Sequence, residues 1–410
     1  MSGGEGRWLV ITSSFPRHRR DLAGHFVRGW CQALVDCGQQ VDVLCWRGPG
    51  AADYRISERL SVRFVPYAPP RAETLFFGAG APENLAERPL RALLAVPAVG
   101  AMLSAAVQAC RSTDYDGVVG HWLIPGGLVA RATAAVTGLP SSVVGHSAGV
   151  QLLAGLPKPV AAPLGRWIVS APTTVPTGPL QATLRQAVGR QRTANISVAP
   201  MGYEPAPPSQ KPVGSDDALR LGFLGRLVPI KGLERVLQAV RRLRADGQNV
   251  QLQVVGDGPA RGRWERLAGA GVEFCGPAFG HTKWAYLRSW DAAVIPSKRT
   301  ETGRHEGLPV SLLEAASVGA IPLVSSVPGV HRWLAKPSRQ VVDGHIDGWV
   351  EAIRWVASAD HRLRRLTRRR VAAVAWPNYG PRWLEWLEQG GNILPRSAGE
   401  NEVQQVTPRR

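Results

Sequence analysis

No Cys-x-x-Cys pair occurs in the 410 residues, and the five cysteines, Cys31, Cys37, Cys45, Cys110 and Cys275, are scattered and odd in number. This argues against a disulfide framework or a cysteine zinc site and favours a reducing, cytoplasmic compartment. No Asp-x-Asp metal motif stands at a suitable strand end, so no metal is expected. No signal peptide is expected, since MSGGEGR passes directly into the apolar run Trp8 to Thr12. The one long uncharged segment, Ala92 to Cys110, is mostly alanine and valine and is interrupted by Pro97 and Gly100. It is expected as a buried or surface-docked helix, since a span needs about 20 strongly apolar residues. Acidic residues are scarce. Lys plus Arg number 49 and Asp plus Glu 31, a formal charge of +18. Such a charge attracts polyanions, whether membrane surface, nucleic acid or phosphorylated substrate, although an arginine-rich composition gives it too. No recognised nucleic-acid module accompanies it, and nucleic acid is not expected as a partner.

What is present is alternation. Strand-like and helix-like runs follow one another along the chain, as in parallel sheets covered by helices. Strands are expected at Trp8–Thr12, Val41–Cys45, Val62–Val65, Gly117–Gly120, Ser142–Gly145, Trp167–Val169 and Ile196–Ala199, with a helix from Gly24 to Cys37. The proline-rich stretch 201–217 reads as a linker. A second alternating unit follows, with strands at Leu219–Leu224, Val250–Val255, Val272–Cys275, Ala292–Ile295 and Ala320–Val324. Helices are expected at Leu233–Arg244 and Pro309–Val318. The expectation is an α/β chain of two Rossmann-like, doubly wound domains, 1–200 and 218–376, facing a central cleft where ligands bind at the strands' C-terminal ends. A helix at 377–390 is expected to pack back on the first domain, with a polar tail at 391–410.

Three segments carry chemistry. EGLPVSLLEA, Glu306 to Ala315, sets two carboxylates, Glu306 and Glu314, on either side of a helix start at Pro309. Gly307 permits close backbone approach, and free amides at the helix start offer an anion site. Acids at both ends of such a turn can hold hydroxyls of two sugars. The same residues also suit an ordinary amphipathic helix with one capping and one surface acid. GRLVPIKG, Gly225 to Gly232, places Arg226 and Lys231 just after a strand, where a fork-like guanidinium and a point charge can grip a diphosphate. VVGDGP, Val254 to Pro259, ends the next strand in a glycine-rich turn.

Together these segments resemble a retaining glycosyltransferase of the large family four, with its two-domain GT-B fold. The resemblance runs through the Gly24 loop, GHWLIPGGL (Gly120 to Leu128), the strand ending in His146, VAPMG (Val198 to Gly202), GRLVPIKG, VVGDGP, FCG (Phe274 to Gly276), IPS (Ile295 to Ser297) and EGLPVSLLEA. It covers most of residues 8–325 and is most specific in the second half. Where the family carries His-Gly and shortly afterwards Asp, this chain has His146-Ser147-Ala148-Gly149. Where it often has a glycine pair and Glu, this chain has Pro328-Gly329-Val330-His331.

The resemblance implies transfer of a hexosyl unit from a nucleoside diphosphate sugar, as donor substrate and without cofactor, to an acceptor hydroxyl. Arg226 and Lys231 would hold the diphosphate and Glu314 the ribose. Glu306, with Gly307, Leu308 and Pro309 at the helix start, would face the donor sugar and phosphate. His146 would reach the sugar across the cleft, and Gly24 would let the first loop approach the donor. Arg17, Arg19, Arg20 and His121 are expected on the acceptor side. The charge and the first-loop arginines suggest a lipid-linked or otherwise anionic acceptor at the inner face of the membrane. Rival readings are a basic polyanion binder and a GT-B scaffold that binds sugar nucleotide without transfer.

Overall fold

The computed structural model describes residues 5–18, 21, 23–76, 78, 80–189, 195–208, 218–299, 305–325, 327, 329–391 and 393. Among these, two sheets form. The first runs in the order β3 (Tyr54–Ser57), β4 (Leu60–Val65), β2 (Gln40–Trp46), β1 (Arg7–Thr12), β5 (Gly117–His121), β6 (Ser141–Val144), β7 (Thr173–Val175) and β8 (Ile196–Val198). All its pairings are parallel except β3 with β4. The second runs β11 (Val272–Gly276), β10 (Val250–Val255), β9 (Leu219–Leu224), β12 (Ala292–Ile295), β13 (Ile321–Ser325) and β14 (Val341–Val342), all parallel. Central strands are buried on both faces, so β1 reads as the continuous apolar run Trp-Leu-Val-Ile.

The helices of the first domain are α1 (His25–Asp36), α2 (Ala81–Glu87), α3 (Ala95–Ser112), α4 (Leu128–Thr137), α5 (Ser147–Gly155), α6 (Lys158–Ile168) and α7 (Gly178–Val188). Those of the second are α8 (Glu234–Ala245), α9 (Arg261–Leu267), α10 (Gly280–Ser289), α11 (Val310–Val318), α12 (Pro337–Gln340), α13 (Ile346–Ala357) and α14 (His361–Val371). The last helix, α15 (Trp376–Gln389), returns to the first domain and packs on α1. Trp383 meets Trp30 edge to face at 5.7 Å. Gly29 leaves room for Trp376, whose Nε1 would lie 2.9 Å from a Cβ there.

Two Rossmann-like domains are therefore present, as expected. The strand expected at Trp167–Val169 is instead the end of α6. Ala161, Leu164, Gly165 and Ile168 follow helical spacing, and a three-residue apolar run cannot be distinguished from a helix end by pattern. The uncharged segment begins within a 3-10 turn, Pro89–Leu94, and continues as α3, which lays Ala98, Met102, Ala106 and Ala109 on the first sheet. In the expected linker, Met201 and Tyr203 are buried, and Tyr203 forms an isolated parallel bridge with Ala375. Residues 209–217 and most of the expected tail lie outside the described residues.

In both sheets the chain reverses its direction of travel once. In the first, β1 is followed by strands on one side and then by β5 on the other. In the second, β9 is flanked by β10 and β12 in the same way. Such switch points open a crevice at the strands' C-terminal ends. The two crevices share one cleft of about 2420 Å³.

Candidate active site

The second domain supplies the charged side of the cleft. The loop after β9 carries Arg226 and Lys231, and the loop after β12 carries Ser297. Lys231 Nζ lies 2.7 Å from Glu306 Oε1, with both side chains largely buried. Ser297 donates its hydroxyl to Glu306 Oε2, so both carboxylate oxygens are engaged. Glu314, inside α11, pairs through Oε1 with Lys283 Nζ of α10 at 2.8 Å. α11 starts with Pro309 at its N-cap, one position outside the first turn expected for it, and among the described residues no side chain caps the helix. Its first amides are thus directed at the cleft without competition from a capping side chain, a suitable seat for a phosphate. Gly256 keeps this floor tight. At φ 142°, a Cβ there would lie 1.9 Å from the Gly225 carbonyl oxygen.

The first domain supplies the aromatic side. Gly24 sits at φ 63° at the N-cap of α1, and a Cβ there would lie 2.2 Å from the Ser14 carbonyl oxygen. His146 caps the start of α5, and its Nε2 is 3.2 Å from Nδ1 of His121 at the end of β5. His121 is fully buried behind it, against the Trp30 ring at 4.8 Å. Desolvation holds His146 far below the usual histidine range, at about 3. Desolvation, and then the neighbouring His146, holds His121 well below it too. Both rings are therefore neutral at pH 7, and one hydrogen-bonds to the other through the shared proton position. Trp122, the one described non-glycine residue with positive φ (63°), packs its ring 4.6 Å from His146. That backbone conformation costs on the order of 1–2 kcal/mol, and the turn 122–127 holds it in place.

The two sides touch. Ser147 donates its hydroxyl to the His305 carbonyl at 2.7 Å, and Gln151 Nε2 donates to the same oxygen at 3.0 Å. Ser147 stands where the family places glycine, so this departure supplies a hydroxyl that joins the domains beside Glu306. Arg226 Nη1 donates to the Gly78 carbonyl at 3.4 Å across the cleft. His25 packs against Phe279, with ring centroids 5.6 Å apart and the planes tilted by 40°.

Of the residues singled out from sequence, Gly24, His146, Arg226, Lys231, Glu306, Gly307, Leu308, Pro309 and Glu314 all line the cleft, as does Arg17. His121 lies behind the wall rather than on it. Arg17 is held by Asp21 through its Nε and by the Pro49 carbonyl at 3.2 Å. Burial raises the Asp21 carboxyl, but hydrogen bonds from Arg17 and from backbone amides outweigh it and hold the acid low, so this pair stays ionised. Arg19 and Arg20 lie outside the described residues. Lys283 escaped sequence reasoning because a lysine on an amphipathic helix reads as a solvated face. Only the packing of α10 on α11 brings it to Glu314.

The two crevices opposed across one cleft define the GT-B fold, with the paired carboxylates and the cationic floor on the side of the second domain. Residues 218–359 match the family model of the glycosyl transferases group 1. The chain is 30% identical over 155 residues to a GDP-mannose-dependent alpha-(1-6)-phosphatidylinositol dimannoside mannosyltransferase of Mycobacterium tuberculosis, covering 37% of this chain and 39% of that one. It is 32% identical over 163 residues to the putative colanic acid biosynthesis glycosyltransferase WcaL of Escherichia coli, with the same coverage. The chain thus spans about two fifths of the length of these curated relatives. Among solved structures, Anabaena HepE in complex with UDP and glucose superposes with a TM-score of 0.64 at 13% identity, covering 94% of this chain and all of that one. An alpha,alpha-trehalose 6-phosphate synthase from Burkholderia multivorans does so with 0.67 at 14%, covering 99% and 100%. Both establish the GT-B fold.

Proposed function

We propose that the chain transfers a hexosyl unit from a nucleoside diphosphate sugar to an acceptor hydroxyl, with retention of configuration and without a metal ion. The observation that carries this reading is the cationic floor formed by Lys231, Arg226 and the uncapped start of α11, with a carboxylate at each end. As the glycosidic bond breaks, its electron pair stays with the diphosphate, and positive charge grows on the sugar ring. Lys231, Arg226 and the α11 amides neutralise the leaving group where a metal would otherwise serve. Glu314 accepts from the ribose hydroxyls, and Glu306 from hydroxyls of the donor sugar. His146, neutral, offers a hydrogen bond from the opposite wall. The departing phosphate oxygen takes the proton from the acceptor hydroxyl as the new bond forms.

The printed names of the relatives, one acting on a phosphatidylinositol dimannoside and one assigned to colanic acid biosynthesis, support a place in cell-envelope or extracellular polysaccharide assembly. A lipid-linked or otherwise anionic acceptor at the cytosolic membrane face accords with the +18 charge.

The test is a thermal-shift screen against UDP, GDP and ADP sugars, followed by turnover of the stabilising donor in excess EDTA. A bound donor raises the midpoint by mass action. Stabilisation by one nucleotide series and EDTA-resistant transfer are expected. No stabilisation by any of them overturns the donor site, and EDTA loss restored by manganese or magnesium overturns metal independence.

A further inference from the structure

The helical stretch from Pro89 to Ser112 is long and apolar enough to cross a membrane by length and composition, but its two halves are placed differently. α3 is fixed to the first sheet, and Trp46 donates its indole N–H to the Ala98 carbonyl at 2.8 Å. The preceding turn, Pro89–Leu94, is a 3-10 helix with no buried residue. At three residues per turn, side chains three apart eclipse one another. Leu90 and Leu93 therefore stand in one row, and Val96 in the first turn of α3 extends it. Their exposures are 80%, 75% and 80%. Soluble surfaces carry such residues singly, and a contiguous apolar row marks an interaction site.

The row lies at the mouth of the cleft. Ala92, Ala95 and Val96 line that cleft, and Leu152 of α5, half exposed, lines it from the neighbouring wall. The exposed Arg88 flanks the row, two residues before Leu90. Arg91 pairs with the exposed Glu87 at 3.3 Å.

We propose that Leu90, Leu93 and Val96 insert into the interfacial layer of an anionic bilayer and hold the mouth of the cleft against it. The row is aliphatic, interspersed with Ala92 and Ala95, and it lacks the aromatic anchors that concentrate binding energy in protein interfaces. Its flanking cations and the +18 charge complement anionic headgroups. The inference rests on the reading of the acceptor as membrane-presented and adds the surface that meets the membrane.

Co-sedimentation of the full chain with vesicles of phosphatidylcholine, alone or mixed with phosphatidylglycerol, tests it. Binding to the mixed vesicles is expected, with at least about a tenfold loss in Leu90→Asp/Leu93→Asp. Leu90→Ser/Leu93→Ser, which adds no charge, also loses binding. Leu267→Asp/Ile346→Asp, a charge-matched pair at exposed apolar positions of the second domain, retains it. Absence of wild-type binding, equal loss in the control pair, or full binding by the serine variant overturns the proposal. So does a wild-type dimer that the serine variant converts to monomer, which assigns the row to self-association. Nucleotide-induced thermal shifts on the same preparations report folding and the donor site separately. Their absence in the wild type sinks the transferase reading while the vesicle result stands on its own.

Discussion

Lys231 and Glu306 face each other at 2.7 Å in a floor that also has to receive a diphosphate, so the lysine has two anionic partners to divide itself between. Lys231→Ala and Arg226→Ala should each cost about 2–4 kcal/mol of transition-state stabilisation, read as kcat/KM, with the thermal midpoint retained. Unchanged turnover in the double variant would remove the diphosphate site. Glu314→Gln should mainly raise the donor KM, since ribose binding is common to ground and transition states. Glu306→Gln should lower kcat. Lys283→Met should follow Glu314→Gln, because Lys283 orients that carboxylate from α10. A kcat effect without a KM effect in Lys283→Met would refute that assignment. The buried His121 carries a pH signature. Its folded pKa lies well below the ordinary 6.5, so the unfolded chain binds more protons as pH falls through that value. The stability it permits is full above pH 6.5 and declines below it, by up to about 1.4 kcal/mol per pH unit. Melts of His121→Gln across this range should show a flatter acid limb than the wild type. An identical slope would show that His121 is already protonated in the fold.

At the scale of elements, α1 depends on a residue with no side chain. Gly24→Ala would push a Cβ to 2.2 Å from the Ser14 carbonyl oxygen at a left-handed φ. A loss of about 2–4 kcal/mol in denaturant melts is expected, together with weakened donor binding. A neutral result would mean that the first loop moves freely. Much of this level was legible beforehand. The strands of both sheets read as apolar runs because parallel strands are buried on both faces. The helix at Pro309–Val318 was marked by its proline, with Gly319 at its C-terminal end. The hidden parts depend on tertiary contact. Thr173–Val175 is too short and too polar to stand out as a strand, and only its place beside β6 makes it one. The end of α6 imitated a strand because Trp167, Ile168 and Val169 are consecutive. The role of Lys283 and the burial of His121 required knowing which helices and strands are neighbours. Arg226 and Lys231 were visible because they follow a strand in sequence, and Glu306 and Glu314 because they bracket a helix start marked by Pro309.

On the scale of the whole molecule, the chain crosses between domains at the stretch after β8 and again before α15. Tyr203 and Ala375, bridged to one another, hold the two crossings side by side. Trp383→Ala, at a fully buried position against Trp30, should cost about 3–5 kcal/mol and should unfold the first domain ahead of the second. Coincident loss of both domains would show instead that the crossings couple them into one cooperative unit.

The same return of α15 has a consequence for synthesis. Domains ordinarily fold in the order in which they leave the ribosome. Here the outer layer over α1 is made of residues Trp376–Gln389, which are translated after the whole second domain. The first domain therefore emerges with the apolar face of α1 uncovered, and it waits through the translation of its neighbour for the helix that covers it. During that interval Trp30, Gly29 and Ala33 form a surface that a chaperone or a second nascent chain can reach. The cover over α1 is therefore laid down late, once α15 has left the ribosome.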